Sequence, residues 1–209
     1  MVGKLDASVQ ALNRANQDLL HEIEAALRES EKKYRQLSIT DSLTELYNRQ
    51  HFFDLAVMEI ERSVRHMRQV ASIVYDLDDF KRINDSFGHV ASDAALQHIV
   101  ALSGNEIRKI DILARYGGEE FICLLPETNL QKAAAVAERM RRAIETNPLQ
   151  YQGQAISVTG SFGVAAIENA ADANESCMGL IQRIIKYADN ALYQAKAAGK
   201  NRVVAAPSV

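Results

Sequence analysis

The sequence predicts an α+β domain with a largely antiparallel sheet flanked by helices, preceded by a long N-terminal helix. Three observations carry this. Segments of helical and strand periodicity follow one another as helix, strand, helix, hairpin, helix, strand, helix, strand, without the regular alternation of a parallel doubly wound sheet. Arg115-Tyr116-Gly117-Gly118-Glu119-Glu120-Phe121 sets a Gly-Gly pair between two short apolar runs, the mark of a two-residue hairpin, because both central residues of a type I′ turn need positive φ. Leu5 to Leu37 contains neither Gly nor Pro.

Composition bounds the function. With 209 residues, 47% of them hydrophobic, the chain can bury one full core, so we expect a helical appendage over 1–38 and one domain over 39–209. The balance of 24 Lys and Arg against 27 Asp and Glu, a net charge of −3, excludes a general binder of nucleic acid or anionic membrane. Cys123 and Cys177 lack any CxxC or Cys/His spacing, which leaves reduced thiols and a cytoplasmic location as the expectation. No apolar run reaches the roughly 18 residues of a membrane span. An upstream sensor domain is expected in the native protein.

From Leu5 to Leu37, Leu5, Leu12, Leu19 and Ala26 form one heptad column and Val9, Ile23 and Leu37 the next, the pattern of a two-stranded coiled coil with Asn16 at an inward position. Ser30 and Lys33 weaken the seam near the domain. Thr40 to Arg49 suits a turn and a helix N-cap, and a helix from about His51 to Met67 follows with Phe52, Leu55, Ala56, Glu59 and Ile60 on one face. Val70 to Leu77 is a nearly continuous apolar run, as in a central strand covered on both faces. Phe80 to His89 reads as a polar connector with helical potential, leading into a helix from about Ser92 to Ile107. Ile112 to Tyr116 opens the hairpin and Pro126 ends it. A helix from about Leu130 to Thr146, a strand from Ile156 to Ile167 interrupted by Gly160 and Gly163, a helix from about Ser176 to Ala198 and a short edge strand at Val203 to Ala205 complete the domain.

Carboxylates where a buried strand ends are costly unless paired or metal-bound, so Asp76-Leu77-Asp78-Asp79 is a site candidate on physical grounds. Counting out from the Gly-Gly tip pairs Tyr116 with Glu119 and Arg115 with Glu120, and neighbouring strands would bring Asp76 beside Glu119. Two hard oxygen ligands plus a backbone carbonyl suit Mg²⁺, which binds through one or two carboxylates and substrate phosphates. Taken alone, Asp93 reads as a partner of a helix dipole, and Lys196 and Lys200 as cations at a helix end.

Four blocks together resemble the GGDEF-domain diguanylate cyclases, in the variant whose motif reads Gly-Gly-Glu-Glu-Phe: DSLTELYNR at Asp41 to Arg49, DLDDFKRINDSFGH at Asp76 to His89, RYGGEEF at Arg115 to Phe121, and ALYQAKAAGKN at Ala191 to Asn201. The resemblance implies a nucleotide-cyclase-like, ferredoxin-like fold and the condensation of two GTP into cyclic di-GMP and two pyrophosphates across a homodimer interface. It implies that Asp76, Glu119 and Glu120, with the Leu77 carbonyl, hold Mg²⁺, with Mn²⁺ as an alternative. It gives Glu119, Glu120, Asp76 and Lys81 the catalytic roles. Gly117 and Gly118 let the nucleotide lie against the turn, Asn84 and Asp93 read the guanine edge, and Lys81, Lys196 and Lys200, with backbone amides after Asp78 and with Phe80, hold the triphosphate. Arg108 and Asp111 match an inhibitory site for cyclic di-GMP, and Arg139 a secondary arginine that reaches the ligand from another domain. Glu45 and Ser92 stand where the family usually has Gly, and Gln50 where Arg is frequent; Ser92 adds a side chain beside the guanine pocket. A catalytically inactive receptor for GTP or cyclic di-GMP is the alternative function.

Overall fold

The computed structural model describes residues 39–167 and 175–207, together with Asn16, Gln17, Leu20, His21, Ile23 and Glu24. Those six N-terminal residues are helical, with Leu20 and Ile23 exposed. The other heptad positions expected between Leu5 and Leu37 lie outside the described residues.

The unit from Thr40 onward is built on one six-stranded sheet ordered β1-β3-β4-β2-β7-β8. Its strands are β1 (Tyr47–Asn48), β2 (Val70–Leu77), β3 (Ile112–Gly117), β4 (Glu120–Pro126), β7 (Gly160–Ile167) and β8 (Val203–Ala205). The central β3-β4-β2-β7 pairings are antiparallel, while β1 joins β3 and β8 joins β7 in parallel. A separate hairpin joins β5 (Leu149–Tyr151) and β6 (Gln154–Ile156). The α+β architecture expected from the element order is the one observed.

All eight residues of β2 are buried, as its apolar run predicts for a strand paired on both edges and covered on both faces. On one face Tyr75 stacks between Phe121 and Phe162, with ring centroids 5.1 and 4.8 Å away, and its hydroxyl donates to Ser103 Oγ at 3.1 Å. That face carries helices α2 (Phe80–Asn105) and α3 (Leu130–Thr146), which contribute Leu96, Ile99, Met140 and Ile144 to its core. The opposite face carries α1 (Arg49–Arg65) and α4 (Cys177–Ala197), packed through Phe52, Ala56, Ile60, Ile181, Ile184 and Ala188. Asn48, Asn129 and Ser176 cap α1, α3 and α4 by accepting from the amides of His51, Lys132 and Gly179, caps worth about 1 kcal/mol each. Gly163 is a close-packing point: a Cβ there would lie 1.9 Å from the Ala188 carbonyl oxygen, so no side chain fits between β7 and α4.

The structure corrects four local expectations. The polar connector after β2 is the first part of α2, which begins at Phe80 and is broken only at Gly88, whose φ of 79° and ψ of 170° are glycine geometry. The long strand from Ile156 shortens to β7, and Leu149 to Ile156 instead forms the β5-β6 hairpin. The turn with two positive φ values lies in that hairpin, at Gln152 and Gly153, whereas in the Gly-Gly stretch only Gly118 has positive φ. The β3-β4 register shifts between Arg115 and Gly117, so Gly117 faces Glu120 and Arg115 faces Phe121, and the tip residues are Gly118 and Glu119. Tyr116, which simple counting from the glycines had paired with Glu119, is the extra residue that the bulge absorbs.

Glu45 adopts φ 60° on the exposed turn before β1, a left-handed conformation that glycine takes at lower cost. Glu45→Gly is expected to stabilise the domain by about 0.5–1 kcal/mol, measured as a higher denaturant midpoint at unchanged slope.

Candidate functional site

Because β4 and β2 are neighbours, Asp76 pairs in register with Glu120, and the Leu77 amide donates to the Glu119 carbonyl at 3.4 Å. Asp76 therefore stands beside both hairpin acids, with Glu120 rather than Glu119 directly opposite. Burial raises the Asp76 pKa above the usual carboxylate value; Lys196 opposes the shift, and the charges of Glu119 and Glu120 add to it. Lys196, in the last turn of α4, places its Nζ 2.9 Å from Asp76 Oδ2. After α4 the chain turns through Gly199, Lys200 and Asn201, all at positive φ, and the Lys200 ammonium pairs with the Asp79 carboxylate. Asp79 precedes α2 in a left-handed conformation and makes no side-chain cap, so the first turn of α2 begins without an N-cap carboxylate. Lys81 lies exposed in that turn, while the Phe80 side chain belongs to the core.

The donor set fits Mg²⁺ chemically: clustered carboxylates and main-chain carbonyls are hard oxygens. Among the described residues no three carboxylate, histidine or cysteine side chains converge into a ready cation cage. Magnesium sites completed by substrate phosphates need no such cage.

The proposed guanine contacts are less concentrated. Asn84 is half-buried and Asp93 exposed, on either side of the Gly88 break in α2. Ser92 is buried and donates to the Gly88 carbonyl at 3.2 Å, so its side chain braces the break. A cavity of about 380 Å³ on the α1/α4 face touches the hairpin acids only at Glu120 and is otherwise lined by residues such as Arg49, Phe53, Tyr116, Lys186 and Asp189. A second, of about 220 Å³, lies beside Arg82, Ser86 and Phe87. Neither is lined by Asn84 or Asp93.

Two contacts were not foreseen. Arg115 is not paired with Glu120: its Nη1 lies 2.9 Å from Asp41 Oδ1 and its Nε donates to the Gly118 carbonyl at 2.9 Å, tying the hairpin tip to the turn before β1. Asp78 is a buried junction whose carboxylate accepts from Thr159, Ser161 and the Asn201 main chain. The burial cost of the strand-end carboxylates was a signal that marked the stretch, but nothing local told Asp78 from Asp76.

At a distance along the sheet, the Arg108 amide donates to Asp111 Oδ2 at 2.7 Å, and the half-exposed Arg108 guanidinium reaches Thr128 Oγ1 at 3.2 Å. Asp111 is buried, its Oδ1 has no hydrogen-bond partner, and burial raises its pKa despite Arg108 and Arg139. Arg139 of the same chain is near enough to act on the Asp111 charge. It is held on α3 by the Glu106 carboxylate at 3.1 Å and the Glu106 carbonyl at 2.7 Å.

The sheet, flanked by helices and ending a buried strand in carboxylates beside Lys196 and Lys200, defines an α+β domain of mostly antiparallel sheet. Residues 38–202 match the family model for the diguanylate cyclase GGDEF domain, and the chain belongs to that family. It is 37% identical over 201 residues to diguanylate cyclase DgcP of Pseudomonas aeruginosa, covering 96% of this chain and 28% of DgcP. The chain spans less than half the length of the curated relatives it matches. Its fold resembles the crystal structure of the coiled coil and GGDEF domain of DgcB from Caulobacter crescentus in complex with c-di-GMP, at a TM-score of 0.80 and 29% identity, covering 93% of this chain and 99% of that one. The active GGEEF domain of a diguanylate cyclase from Vibrio cholerae matches with a TM-score of 0.68 and 29% identity, covering 78% of this chain and 98% of that one.

Burial alone would raise the Asp41 pKa, but hydrogen bonds from the Thr44 hydroxyl and amide and the bond and charge of Arg115 overcome it and hold the pKa below its ordinary value of 3.8. A depressed carboxylate contributes stability that is full above its unfolded pKa and disappears as pH falls through the folded value. Asp41→Asn should therefore destabilise the domain by about 1–2 kcal/mol at pH 7. In urea unfolding the gap from wild type should shrink steadily below pH 3.8.

Proposed function

We propose that the domain condenses two GTP molecules into cyclic di-GMP with release of two pyrophosphates, each half-site being completed by the same hairpin on a second chain. The observation that carries this reading is the placing of Asp76 opposite Glu120 and beside Glu119, with Lys196 on Asp76 and Lys200 on the nearby Asp79. Asp76, Glu119, Glu120 and the Leu77 carbonyl would hold Mg²⁺, which when bound lowers the pKa of the attacking 3′-hydroxyl and neutralises charge on the phosphates. Lys81, Lys196, Lys200 and the amides at the start of α2 hold the triphosphate. Asn84 and Asp93 accept and donate to the guanine edge within their side-chain capacities, Asp93 as an acceptor only. Gly117 and Gly118 leave the hairpin tip free of side chains where the nucleotide passes.

One domain binds one GTP, so proximity is supplied by dimerisation, for which we propose the coiled coil over 1–38. Ile23, at an inward heptad position, is exposed in the single chain, as a seam residue is before it meets a partner. Product inhibition is proposed at Arg108 and Asp111 with Arg139, where a half-exposed guanidinium stands beside a buried carboxylate with an unpartnered oxygen. Among the described residues no helix is long and apolar enough to cross a membrane. We place the activity in the cytoplasm, where GTP is available.

Purified protein with GTP and Mg²⁺ should yield cyclic di-GMP and pyrophosphate in a chromatographic assay. Nucleotide binding without product from the dimer would replace this reading by that of a receptor. Glu119→Gln should reduce turnover by at least about a hundredfold with the unfolding midpoint preserved, and full activity would refute its role. Arg108→Ala should leave the initial rate unchanged and relieve inhibition by added cyclic di-GMP.

A further inference from the structure

A polar cluster that the proposed chemistry does not use joins the end of β2 to the turn after α4. Asp78 is 8% exposed. Its Oδ2 accepts from the Thr159 hydroxyl at 2.8 Å and the Asn201 main-chain N–H at 3.0 Å, and its Oδ1 accepts from the Ser161 hydroxyl at 2.7 Å. The Asp78 amide donates in turn to the Thr159 carbonyl at 2.8 Å. The carboxylate is thus satisfied by neutral donors from two other segments of the chain, as a buried anion requires.

Asn201 extends the cluster outward. Its Oδ1 accepts from Arg141 Nη1 at 2.8 Å, and its Nδ2 donates to Glu145 Oε1 at 2.7 Å. This orientation of the amide is the one the partners demand, since a guanidinium only donates and a carboxylate only accepts. Arg141 is itself fixed by Glu138 and Glu145 on α3. Asn201 is therefore held through its main chain and both ends of its side chain.

The residue before it is Lys200. Lys200 and Asn201 are consecutive left-handed residues, at φ 63° and 46°. Asparagine enters that region readily; lysine does so at a cost and leaves it unless its neighbours hold it. The Lys200 ammonium reaches Asp79, the residue next to Asp78. The pairs 78–79 and 200–201 are thus bound twice, once by the buried carboxylate and once by the lysine.

We propose that Asn201 is a positioning residue: clamped by Asp78, Arg141 and Glu145, it keeps the left-handed turn that presents the Lys200 ammonium to the phosphates at the start of α2. The proposal rests on the reading of Lys200 as a phosphate-binding group. Asn201 touches no reacting atom. It acts through Lys200, and its loss releases the lysine into other conformations.

The test is a double-mutant cycle on nucleotide affinity, read by titrating the full chain with a fluorescent GTP analogue in Mg²⁺, a readout that does not require turnover. Lys200→Ala and Asn201→Ala should each weaken binding about tenfold, and the double variant should bind no more weakly than Lys200→Ala alone. Arg141→Gln, which frees the Asn201 carbonyl oxygen from a more distant point, should weaken binding in the same direction and lose that effect in the Lys200→Ala background. This pair decides the matter if Asn201→Ala does not fold. Additive losses overturn the positioning role while leaving Lys200 as a phosphate ligand. Unchanged affinity in Lys200→Ala overturns both.

Discussion

The constraint on which the rest depends is the complete burial of β2. Both edges are hydrogen-bonded, to β4 and β7, and both faces are covered, so charge is costly along its length. Its one carboxylate, Asp76, sits at its end, and Asp78 and Asp79 follow just beyond it. Three carboxylates at the mouth of a buried strand repel one another in a medium that screens poorly, and the structure resolves this by sending each to different partners. Asp76 goes to Lys196, Asp78 to two hydroxyls and a main-chain amide, and Asp79 to Lys200. The division of labour among the three follows from their burial.

How much of this was legible depends on whether the determining contacts are local. The apolar run of β2, the stripes of α1, α3 and α4 and the acidic strand end could be read directly, because burial on a fixed period leaves a mark in the sequence. The close approach at Gly163 was also marked, since only a missing side chain permits it. The turn at Gly117–Gly118 was misplaced because two glycines allow positive φ without requiring it, and a bulge between Arg115 and Gly117 let the register slip. The β5-β6 hairpin escaped notice because three-residue strands are too short to show alternation. The partner of Arg115 was missed for another reason: Asp41 is remote in sequence, and cross-strand counting considers only neighbours on the hairpin.

Several left-handed residues fall in the loops around the strand-end acids, although others, such as Met67, Glu127 and Gln152, lie elsewhere. Glu45 lies on the turn that Arg115 ties to the hairpin, Asp79 starts α2, Gly118 forms the tip, and Gly199, Lys200 and Asn201 follow α4. Non-glycine residues in this conformation persist where surrounding contacts over-determine the backbone. At Asp79 and Asn201 those contacts are visible as the Asp78 cluster and the Lys200 bridge. Next to these loops, Tyr75 near the end of β2 is stacked between Phe121 and Phe162.

The ion pairs at the strand end also bear on how a nucleotide would enter. The two lysines assigned to phosphates rest on two carboxylates of the same region, Lys196 on Asp76 and Lys200 on Asp79. Without Lys196, Asp76 would face Glu119 and Glu120 with only burial and repulsion acting on it, and both raise its pKa. The lysines thus serve as internal counterions to the two carboxylates. A nucleotide bringing phosphates and a divalent cation would exchange partners with both pairs at once, phosphate for carboxylate at each lysine and metal for lysine at Asp76. Such an exchange gives both lysines and Asp76 a new opposite charge, and the carboxylate it releases, Asp79, is exposed, so no buried charge is left unpaired. Phosphate alone would leave the carboxylates unneutralised, and metal alone would leave the lysines facing it, so the arrangement favours the two entering together.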